Sequence, residues 1–465
     1  MFLGDPAVRW GRVMRLPARW TAGAVMLLLA GVLSGWAPSG PLWLGSAAGR
    51  ERVAAPAGSA WSAPELIPAR EIGTPAPDHP PVFDAKGDAV LVWTEGKLSV
   101  KETIQVEYLV RTSTRPAGGH WQPAETLSRL GLDPAVLVDA AGETIAVWQS
   151  FSGLQAAIRP ADGGWLAPQA LPTPGGAEPQ LANDARGDVI VVSHGQAPGH
   201  STGIQAVLRP AGGTFSAAKT VSAPGNDFHP RVAMNATGDA IVAWERDSGR
   251  GCHVEAAYRL ADGGWSGPQV LSDRHAGCPA DQHVAIDGRG DAIVVWYAQR
   301  GRTTFVESAA RAAKGRWSTH RILARAPDID ANVSVGMDVQ GDATLVWHQE
   351  SLNSGPSVIW SRTRPAGGPW GTKRNVARAH GGTPALAIDP RGDVLVTWQD
   401  RRGIEAATRP AGGPWQKPSL VSAQSSTELA AGDDGLAALD TRGDALATWQ
   451  NHEGIKTAWH LSLFP

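Results

Sequence analysis

Short apolar runs alternate along the chain with turns that contain aspartate and glycine. One recurring block reads Asp or Asn, two residues, Gly, an acid, an apolar run and, in most copies, Trp. Runs of this length between Gly and Asp are typical of buried β-strands, and helical periodicity is absent from the sequence. The block recurs eight times, at Asp84–Trp93, Asp139–Trp148, Asp184–Ser193, Asn235–Trp244, Asp287–Trp296, Asp338–Trp347, Asp389–Trp398 and Asp440–Trp449.

The copies follow one another at a spacing of about 51 residues, a period typical of propeller blades or solenoid coils. Each period divides into four extended segments. Strand a precedes the turn aspartate, and strand b runs from the acid after Gly to the Trp. Strand c ends at an arginine that is usually followed by Pro, and strand d begins near a second Trp. The sequence therefore predicts a series of four-stranded antiparallel sheets.

The two ends of the repeat region complement each other. The segment Trp61–Ile67 resembles a strand d without the three strands that should precede it, and the last copy stops after a strand c at residues 455–460. If the first segment completes the last sheet, all predicted strands fall into eight sets of four. Such closure leaves no sheet edge unpaired. We therefore predict an all-β, eight-bladed β-propeller of four-stranded antiparallel blades over residues 61–465, closed by the N-terminal strand.

The first 48 residues have the order of a secretory signal peptide. Four arginines between Arg9 and Arg19 precede an apolar run at residues 22–33, and a small-residue stretch ends at Ala48. The apolar run is shorter than the roughly 20 residues of a membrane helix, so an uncleaved N-terminal membrane anchor is the alternative. Residues 49–60, rich in Ala, Gly and Pro, are expected to form a linker. This interpretation predicts a secreted or extracytoplasmic protein.

Composition and charge limit the partners. The chain has 42 basic and 44 acidic residues, so it lacks the strongly basic balance of proteins that bind nucleic acid or anionic membranes. We expect no nucleic acid partner, membrane contact only if the N-terminal segment is retained, and a monomer. Cys252 and Cys278 are an even pair in an exported chain and are predicted to form a disulfide. The sequence shows no metal-binding cluster, and no metal or cofactor is predicted.

The repeated polar and aromatic residues are interpreted as structural. The turn aspartate is expected to cap a short hairpin whose glycine adopts the left-handed conformation. The repeated tryptophans are expected to fill the spaces between blades, and Trp360, outside the repeated positions, is the candidate for stacking on a ligand. The arginine that ends strand c is expected to pair with the acid after Gly in its own repeat, which gives the pairs Asp88–Arg115, Glu143–Arg159, Asp188–Arg209, Asp239–Arg259, Asp291–Arg311, Asp342–Arg364 and Asp393–Arg409.

The hairpin between strands c and d carries a recurring Gly-Gly-Trp core, as at residues 162–168 and 262–268. It resembles a shortened Asp-box of the sialidase-like (BNR) β-propeller repeat proteins of exported bacterial type. Most copies have Ala in place of Asp, the usual Ser, Asp, Gly, Thr, Trp spacing is not met, and sialidases have six blades. The catalytic arginine triad, nucleophilic tyrosine and acidic partner of sialidases have no matching positions here. The resemblance therefore implies the fold and not the activity.

Residues that differ between blades fall on the face that bears the b-to-c and d-to-a connections, which we call the variable face. Variable loops on a rigid scaffold are where function usually resides. Six residues before each turn residue stands a polar residue, and we call these eight the polar ring: Asp78, Asp133, Glu178, His229, Asp281, Asn332, Thr383 and Asp434. The polar ring is expected at the channel mouth, where its members are candidates for binding a basic or polyhydroxylated ligand; the alternative is that they cap the ends of the inner strands or hold water in the channel. Glu245, Tyr297 and Arg300 follow strand b on the same face and point to the space between blades four and five.

Two classes of function fit these residues. The first is a secreted binding or scaffold propeller that recognises a glycan, a peptide or a surface partner through the variable face. The second is a glycan-active hydrolase or lyase that uses two carboxylates from that face, and a hydrolase needs them about 5 to 9.5 Å apart. A carboxyl with a raised pKa beside Tyr297 or an arginine cluster would indicate the enzyme, and scattered, solvated acids would indicate the binder. No residue is assigned as catalytic.

Overall fold

The structure is a computed structural model of the full chain. It describes residues 61–67, 75–76, 79–100, 104–197, 201–249, 251–261, 263–273, 278–327, 333–349, 357–379, 382–423, 436–451, 454–461 and 463–464. The described residues all belong to one compact unit, Val53–Pro465. The predicted signal peptide and linker, and Asp78, Asn332 and Asp434 of the polar ring, lie outside the described residues.

The described residues form thirty-three strands in eight antiparallel sheets. Strand β1 (Glu65–Leu66) belongs to the last blade. Blade one contains β2 (Pro75–Ala76), β3 (Val82–Phe83), β4 (Ala89–Val100), β5 (Ile104–Arg115) and β6 (Glu125–Ser128), and blade two contains β7 (Leu132–Val138), β8 (Thr144–Ser150), β9 (Gly153–Arg159) and β10 (Gln169–Pro174). Blade three contains β11 (Ala177–Asn183), β12 (Val189–Gly195), β13 (Gly203–Arg209) and β14 (Lys219–Thr220), and blade four contains β15 (Asn226–Met234), β16 (Ala240–Asp247), β17 (Cys252–Arg259) and β18 (Gln269–Val270).

The remaining strands continue the same order. Blade five contains β19 (Pro279–Ile286), β20 (Ala292–Arg300), β21 (Thr303–Arg311) and β22 (Arg321–Pro327), and blade six contains β23 (Val333–Met337), β24 (Ala343–Gln349), β25 (Ser357–Arg364) and β26 (Arg374–Ala379). Blade seven contains β27 (Ala385–Ile388), β28 (Val394–Asp400), β29 (Gly403–Arg409) and β30 (Ser419–Ala423), and blade eight contains β31 (Leu436–Leu439), β32 (Ala445–Asn451) and β33 (Gly454–His460). In blade one, strand a is split into β2 and β3, which both pair with β4.

The predicted eight-bladed propeller is confirmed. Strand a of one blade lies against strand a of the next, as β7 lies against β11 and β11 against β15, so strand a is the innermost strand. The N-terminal strand closes the ring as predicted, because β1 pairs antiparallel with β33 and places Glu65 opposite Thr457. The backbone N–H of Ser62 donates to the carbonyl of Trp459 at 2.7 Å, and Ile67 extends the same ladder.

The tryptophan at the end of strand b lies between blades, as predicted. Trp244 of blade four, for example, packs against Ile190 and Val192 of blade three. Burying a large ring at this position joins neighbouring sheets through the hydrophobic effect. The seven tryptophans at this position are at most 1% exposed: Trp93, Trp148, Trp244, Trp296, Trp347, Trp398 and Trp449.

The turn aspartate caps its own hairpin, as predicted. In blade three, Oδ1 of Asp184 accepts the backbone N–H groups of Arg186 and Asp188, both at 2.9 Å. Gly187 then turns the chain with a φ of 89°, a left-handed conformation that favours glycine. The repeated Asp-x-x-Gly-Asp motif is therefore explained by the hairpin between strands a and b.

The predicted ion pairs of the strand-c arginines are wrong, and the described residues contain none of the seven. The register does place Arg209 opposite Val189, next to Asp188. Its Nη2 atom nevertheless lies 2.7 Å from Oε2 of Glu143 in blade two. A side chain at this position leans out of its own sheet towards the preceding blade, which strand order alone does not reveal.

Other strand-c arginines also contact the preceding blade instead of the acid of their own repeat. Arg159 donates to Thr114 of blade one at 2.6 Å, and Arg409 donates to Thr344 of blade six at 2.7 Å. The acid after Gly accepts a backbone N–H from the c-to-d hairpin instead, as Asp188 does from Ala211 at 3.0 Å. In four blades, an arginine two residues after the turn aspartate contacts both acids of its own turn, and these arginines are Arg186, Arg289, Arg391 and Arg442.

The predicted disulfide is confirmed. Cys252, at the start of β17, is bonded to Cys278, just before β19, with Cα atoms 4.5 Å apart. The bond ties strand c of blade four to the connection into blade five. The part of the chain that the structure describes contains no helix long and apolar enough to cross a membrane.

Candidate functional site

Four members of the polar ring share an unusual backbone conformation. Asp133, Glu178, His229 and Asp281 have φ values of 49°, 52°, 51° and 52°. Each lies where the register between strands a and b shifts, as between Leu132 and Ala135, so each is part of a β-bulge. Non-glycine residues adopt this conformation at a cost of about 1–3 kcal/mol each. Bulges redirect side chains and are frequent beside active sites.

The bulges bring acids and histidines of blades three and four together. Nε2 of His229 lies 3.6 Å from Oε1 of Glu178, and its Nδ1 atom lies 3.2 Å from Oε2 of Glu245. On the other side of Glu178, Oε2 lies 3.4 Å from Nδ1 of His194. We call Glu178, His194, His229 and Glu245 the acid–histidine cluster.

The pKa shifts of His229 and Glu178 favour the charged forms of these two residues. The hydrogen bond to Glu245 raises the pKa of His229, and the charges of Glu178 and Glu245 add to that effect against burial. Burial by itself raises the pKa of Glu178, but the hydrogen bond to His194 and the charges of His229, His194 and Arg231 outweigh it and lower the pKa. These contacts therefore favour the protonated form of His229 and the ionised form of Glu178.

Asp133 of blade two adds a carboxyl group that titrates near neutral pH. Burial and the negative charge of Glu178 raise its pKa to about 6, and His194 only partly offsets this. A carboxyl with such a pKa can donate a proton below pH 6 and accept one above it. Asp133, Glu178 and His194 therefore combine a proton donor, a fixed anion and an imidazole.

Asp281 of blade five is held as an anion. Oδ1 lies 3.3 Å from Nε2 of His283, and Oδ2 accepts the backbone N–H of Val333 in blade six at 3.1 Å. Burial would raise its pKa, but these contacts and the charge of Arg231 lower it to about 2. Asp281 thus joins two blades, and its carboxylate is already engaged.

Arg231 and His283 are site residues that sequence reasoning missed. Each stands two residues after a ring member on the innermost strand, where blades two and seven carry Ala135 and Ala385. The charge of Arg231 acts on Glu178, His229 and Asp281. The available signal was a basic side chain at this position in blades four and five, since the other six blades carry uncharged residues there.

The other site residues predicted from the sequence lie in different surroundings. Glu245 belongs to the acid–histidine cluster and lies beside the disulfide, within 4.8 Å of the Cys252 and Cys278 sulfur atoms. These sulfurs are bonded to each other and are not thiolate ligands. Tyr297 is half-buried and packs against the core between blades five and six. Thr383 is also half-buried, and its backbone is not left-handed.

Arg300 and Trp360 each contact side chains of their own blade. Nη2 of Arg300 lies 2.7 Å from Oε1 of the buried Glu307, and its guanidinium lies over Phe305. The Trp360 ring is covered by Lys373, whose Nζ lies 4.1 Å from the ring centroid. The described residues thus place the densest group of acids and histidines on blades two to four, and not between blades four and five.

No protein-family model matches the sequence, and no curated protein matches it. Solved structures with a similar fold include the polysaccharide lyase Uly1, which is 9% identical over 86% of this chain and 93% of that chain with a TM-score of 0.51. An ulvan lyase of a new polysaccharide lyase family is 14% identical over 84% and 94%, with a TM-score of 0.45. The leech intramolecular trans-sialidase is 9% identical over 85% and 91%, with a TM-score of 0.41.

These comparisons concern the fold. The likeness to Uly1 agrees with the predicted fold. At such identities a common fold does not transfer an activity.

Proposed function

We propose that this protein is a secreted β-propeller that recognises a glycan over the acid–histidine cluster. The observation that carries the proposal is the left-handed backbone shared by Asp133, Glu178, His229 and Asp281. Backbone strain of this kind persists where the surrounding structure requires it, and it is concentrated at functional sites. The strain supports a role in recognition, because Gly would satisfy the same bulges without it.

The chemistry of the cluster suits a polyhydroxylated ligand. Glu178 and Glu245 offer carboxylate oxygens that accept hydrogen bonds from sugar hydroxyls, and His229, whose Nδ1 is paired with Glu245, offers Nε2 to a sugar oxygen. The side chain of His229 is half exposed, at 53%, while those of Glu178 and Glu245 are more covered. The glycan-active propellers of similar fold support this ligand class. The disulfide supports an extracytoplasmic location.

The second candidate function is a glycan-active hydrolase or lyase at the same place. One observation favours it: the pKa of Asp133 is raised to about 6 beside the anionic Glu178. Two neighbouring carboxyls whose environments push their pKa values apart are the usual arrangement of an acid and a base. In this candidate function Asp133 donates the proton and Glu178 or a neighbouring histidine accepts one.

A polysaccharide panel tests both functions. Neutral and acidic polysaccharides are offered to the full chain, and binding is measured by calorimetry while turnover is measured as new reducing ends or unsaturated products. We expect Glu178→Gln and His229→Gln to weaken binding at least about 10-fold, which corresponds to about 1.4 kcal/mol. His120→Gln is the matched control, because this histidine is 89% exposed and contacts Glu65 in the last blade.

The outcome separates the two functions. Binding without turnover supports the recognition protein, and turnover that is lost in Asp133→Asn supports the enzyme. If the cluster variants bind every ligand as well as the His120→Gln control does, the proposed site is wrong.

A further inference from the structure

An aromatic side chain stands exposed on the variable face of blade two. Phe151 is 84% exposed, and Leu130, in the connection that leads into β7, is 49% exposed. Exposure alone does not mark a binding residue, because single apolar side chains are common on protein surfaces. The other large apolar side chains that the described residues expose lie on a strand d or on the opposite face, and these are Leu166, Ile322, Val339 and Leu461.

Phe151 stands at the tip of the turn between strands b and c. Ser150 pairs with Gly153, so Phe151 and Ser152 form a two-residue turn. Glycine and polar residues suit such turns, whereas a phenylalanine ring gains nothing by standing in water. Turns of the same length in blades five and seven carry only glycine and arginine, at Gly301, Arg302, Arg401 and Arg402. Neither the turn nor the packing of blade two therefore explains Phe151.

The turn lies close to the acid–histidine cluster. Leu132, the residue before Asp133, pairs with Gln149, which is two residues before Phe151. At about 3.3 Å per residue along a strand and about 4.8 Å between strands, the Cα atoms of Phe151 and Asp133 are on the order of 10 Å apart. Asp133 in turn feels the charge of Glu178. A ligand longer than one sugar residue can therefore contact both the cluster and Phe151.

A second aromatic ring lies inside the cluster. The ring centroid of Phe228 is 5.7 Å from that of His194 and 6.2 Å from that of His229. Phe228 pairs with Glu245 between strands a and b of blade four, and it is partly exposed. The cluster thus combines acids and histidines with the apolar surface of a ring. Small-molecule sites combine apolar surface and a few polar groups in this way.

The apolar surface at the tip of blade two is too small for a stable protein partner. Specific protein interfaces bury about 1,200–2,000 Å², and Phe151 and Leu130 cover only a fraction of such an area. Their polar neighbours are hydroxyl groups: the Ser150 hydroxyl donates to the carbonyl of Gly153 at 2.7 Å and lies 3.5 Å from the Ser152 hydroxyl. One exposed ring beside hydroxyl groups matches a single sugar ring in size and polarity.

We propose that the ligand is an oligosaccharide that extends from the acid–histidine cluster to blade two and stacks one sugar ring on Phe151. This inference rests on the proposed function, since the cluster holds one sugar residue and Phe151 adds a second subsite. The C–H face of a pyranose packs on the aromatic ring while the hydroxyl groups at its edge stay in water. Phe151 then sets a preference for longer chains, because a monosaccharide held by the cluster does not reach it.

Chain length tests the proposal. Binding to the full chain is measured by calorimetry or ligand-observed NMR for glucose, mannose and galacturonate, and for cellotetraose, mannotetraose and tetragalacturonate. We expect at least one tetrasaccharide to bind at least about 10-fold more tightly than its monosaccharide. Phe151→Ala should remove this gain and leave the affinity for the monosaccharide unchanged, whereas Phe151→Trp should retain the gain. Leu166→Ala is the matched control, because Leu166 is 57% exposed in the same blade but lies on the opposite face.

The outcomes separate this inference from the proposed function. If Glu178→Gln weakens tetrasaccharide binding while Phe151→Ala binds as tightly as Leu166→Ala, the cluster binds a glycan and the Phe151 subsite is wrong. If Glu178→Gln leaves every affinity unchanged, or if none of the sugars binds, the proposed function fails and the inference fails with it. Self-association in sedimentation that is lost in Phe151→Ala would assign the residue to a contact between copies of the chain and would also overturn the subsite.

Discussion

Arg209 in blade three lies 2.7 Å from Glu143 in blade two, and only 3% of the arginine side chain is exposed. Its Nη1 atom also lies 3.8 Å from Oδ2 of Asp139, the turn aspartate of blade two. The strand-c arginine thus connects one blade to the preceding blade. Because both carboxylates belong to blade two, the arginine contributes to the packing of blade three against it.

The first prediction concerns this buried contact. Arg209→Gln leaves Asp139 and Glu143 without their cation in a water-poor environment, and breaking a buried pair typically costs about 3–5 kcal/mol. We expect a loss near the lower end of this range in the free energy of unfolding, measured by urea titration. Arg186→Gln is the matched control, because that arginine side chain is 60% exposed, and it should change stability much less. Equal effects of the two variants would contradict the inter-blade role of Arg209.

The second prediction concerns Ser193, which replaces the inter-blade tryptophan in blade three. Ser193 is fully buried, and its hydroxyl has no hydrogen-bond partner among the described residues. An unsatisfied buried hydroxyl is costly, so Ser193→Ala should stabilise the protein by about 1 kcal/mol in the same titration. Ser222→Ala is the contrasting variant and should destabilise, because the Ser222 hydroxyl accepts the N–H of Ile204 at 3.0 Å. A loss of stability in Ser193→Ala would show that the hydroxyl is satisfied.

Strand order and closure could be predicted because they depend on local patterns. An apolar run after a Gly-Asp turn marks β16 in the sequence. The segment that begins at Trp61 has no strands of its own blade before it, and the last blade lacks a strand beside Ile455, so the two ends could be matched. The partner of Arg209 could not be predicted, since the direction of a long side chain depends on blade packing. The bulge at Glu178 was also missed. A bulge adds only one residue to a strand, and this does not show in the spacing of the repeats along the sequence. The polar ring was found from sequence, but the clustering of its members was not.

The third prediction concerns the disulfide. Cys252 and Cys278 are 26 residues apart in the sequence, and closing a loop of this length stabilises a fold by about 3 kcal/mol. The double variant Cys252→Ser and Cys278→Ser should lower the Tm, and a reductant should lower the wild-type Tm to the same value. The reductant should not affect the double variant, which serves as the control. A wild-type Tm that is insensitive to complete reduction would contradict a stabilising role.

The fourth prediction follows from the pKa of Asp133, which is raised from 3.8 to about 6 in the folded protein. The folded state favours the protonated carboxyl, so the stabilising contribution is complete below pH 3.8 and is lost as the pH rises through 6. Asp133→Asn stays neutral and should be more stable than the wild type above pH 6, by up to about 3 kcal/mol. Thermal unfolding between pH 4 and pH 8 measures the difference, which should vanish at the acid end. A difference that is independent of pH would contradict the raised pKa.

The last prediction concerns closure of the ring. Trp61 and Ile67 are 3% and 2% exposed, and both flank the strand that pairs with β33. Deleting residues 1–67 removes two buried side chains, each worth about 1.5–3 kcal/mol, and exposes the edge of β33 to other chains. We expect a lower Tm and concentration-dependent association by light scattering. Deleting only residues 1–60 retains the strand and should leave the Tm and the association state unchanged. If both deletions behave alike, the N-terminal strand does not hold the propeller closed.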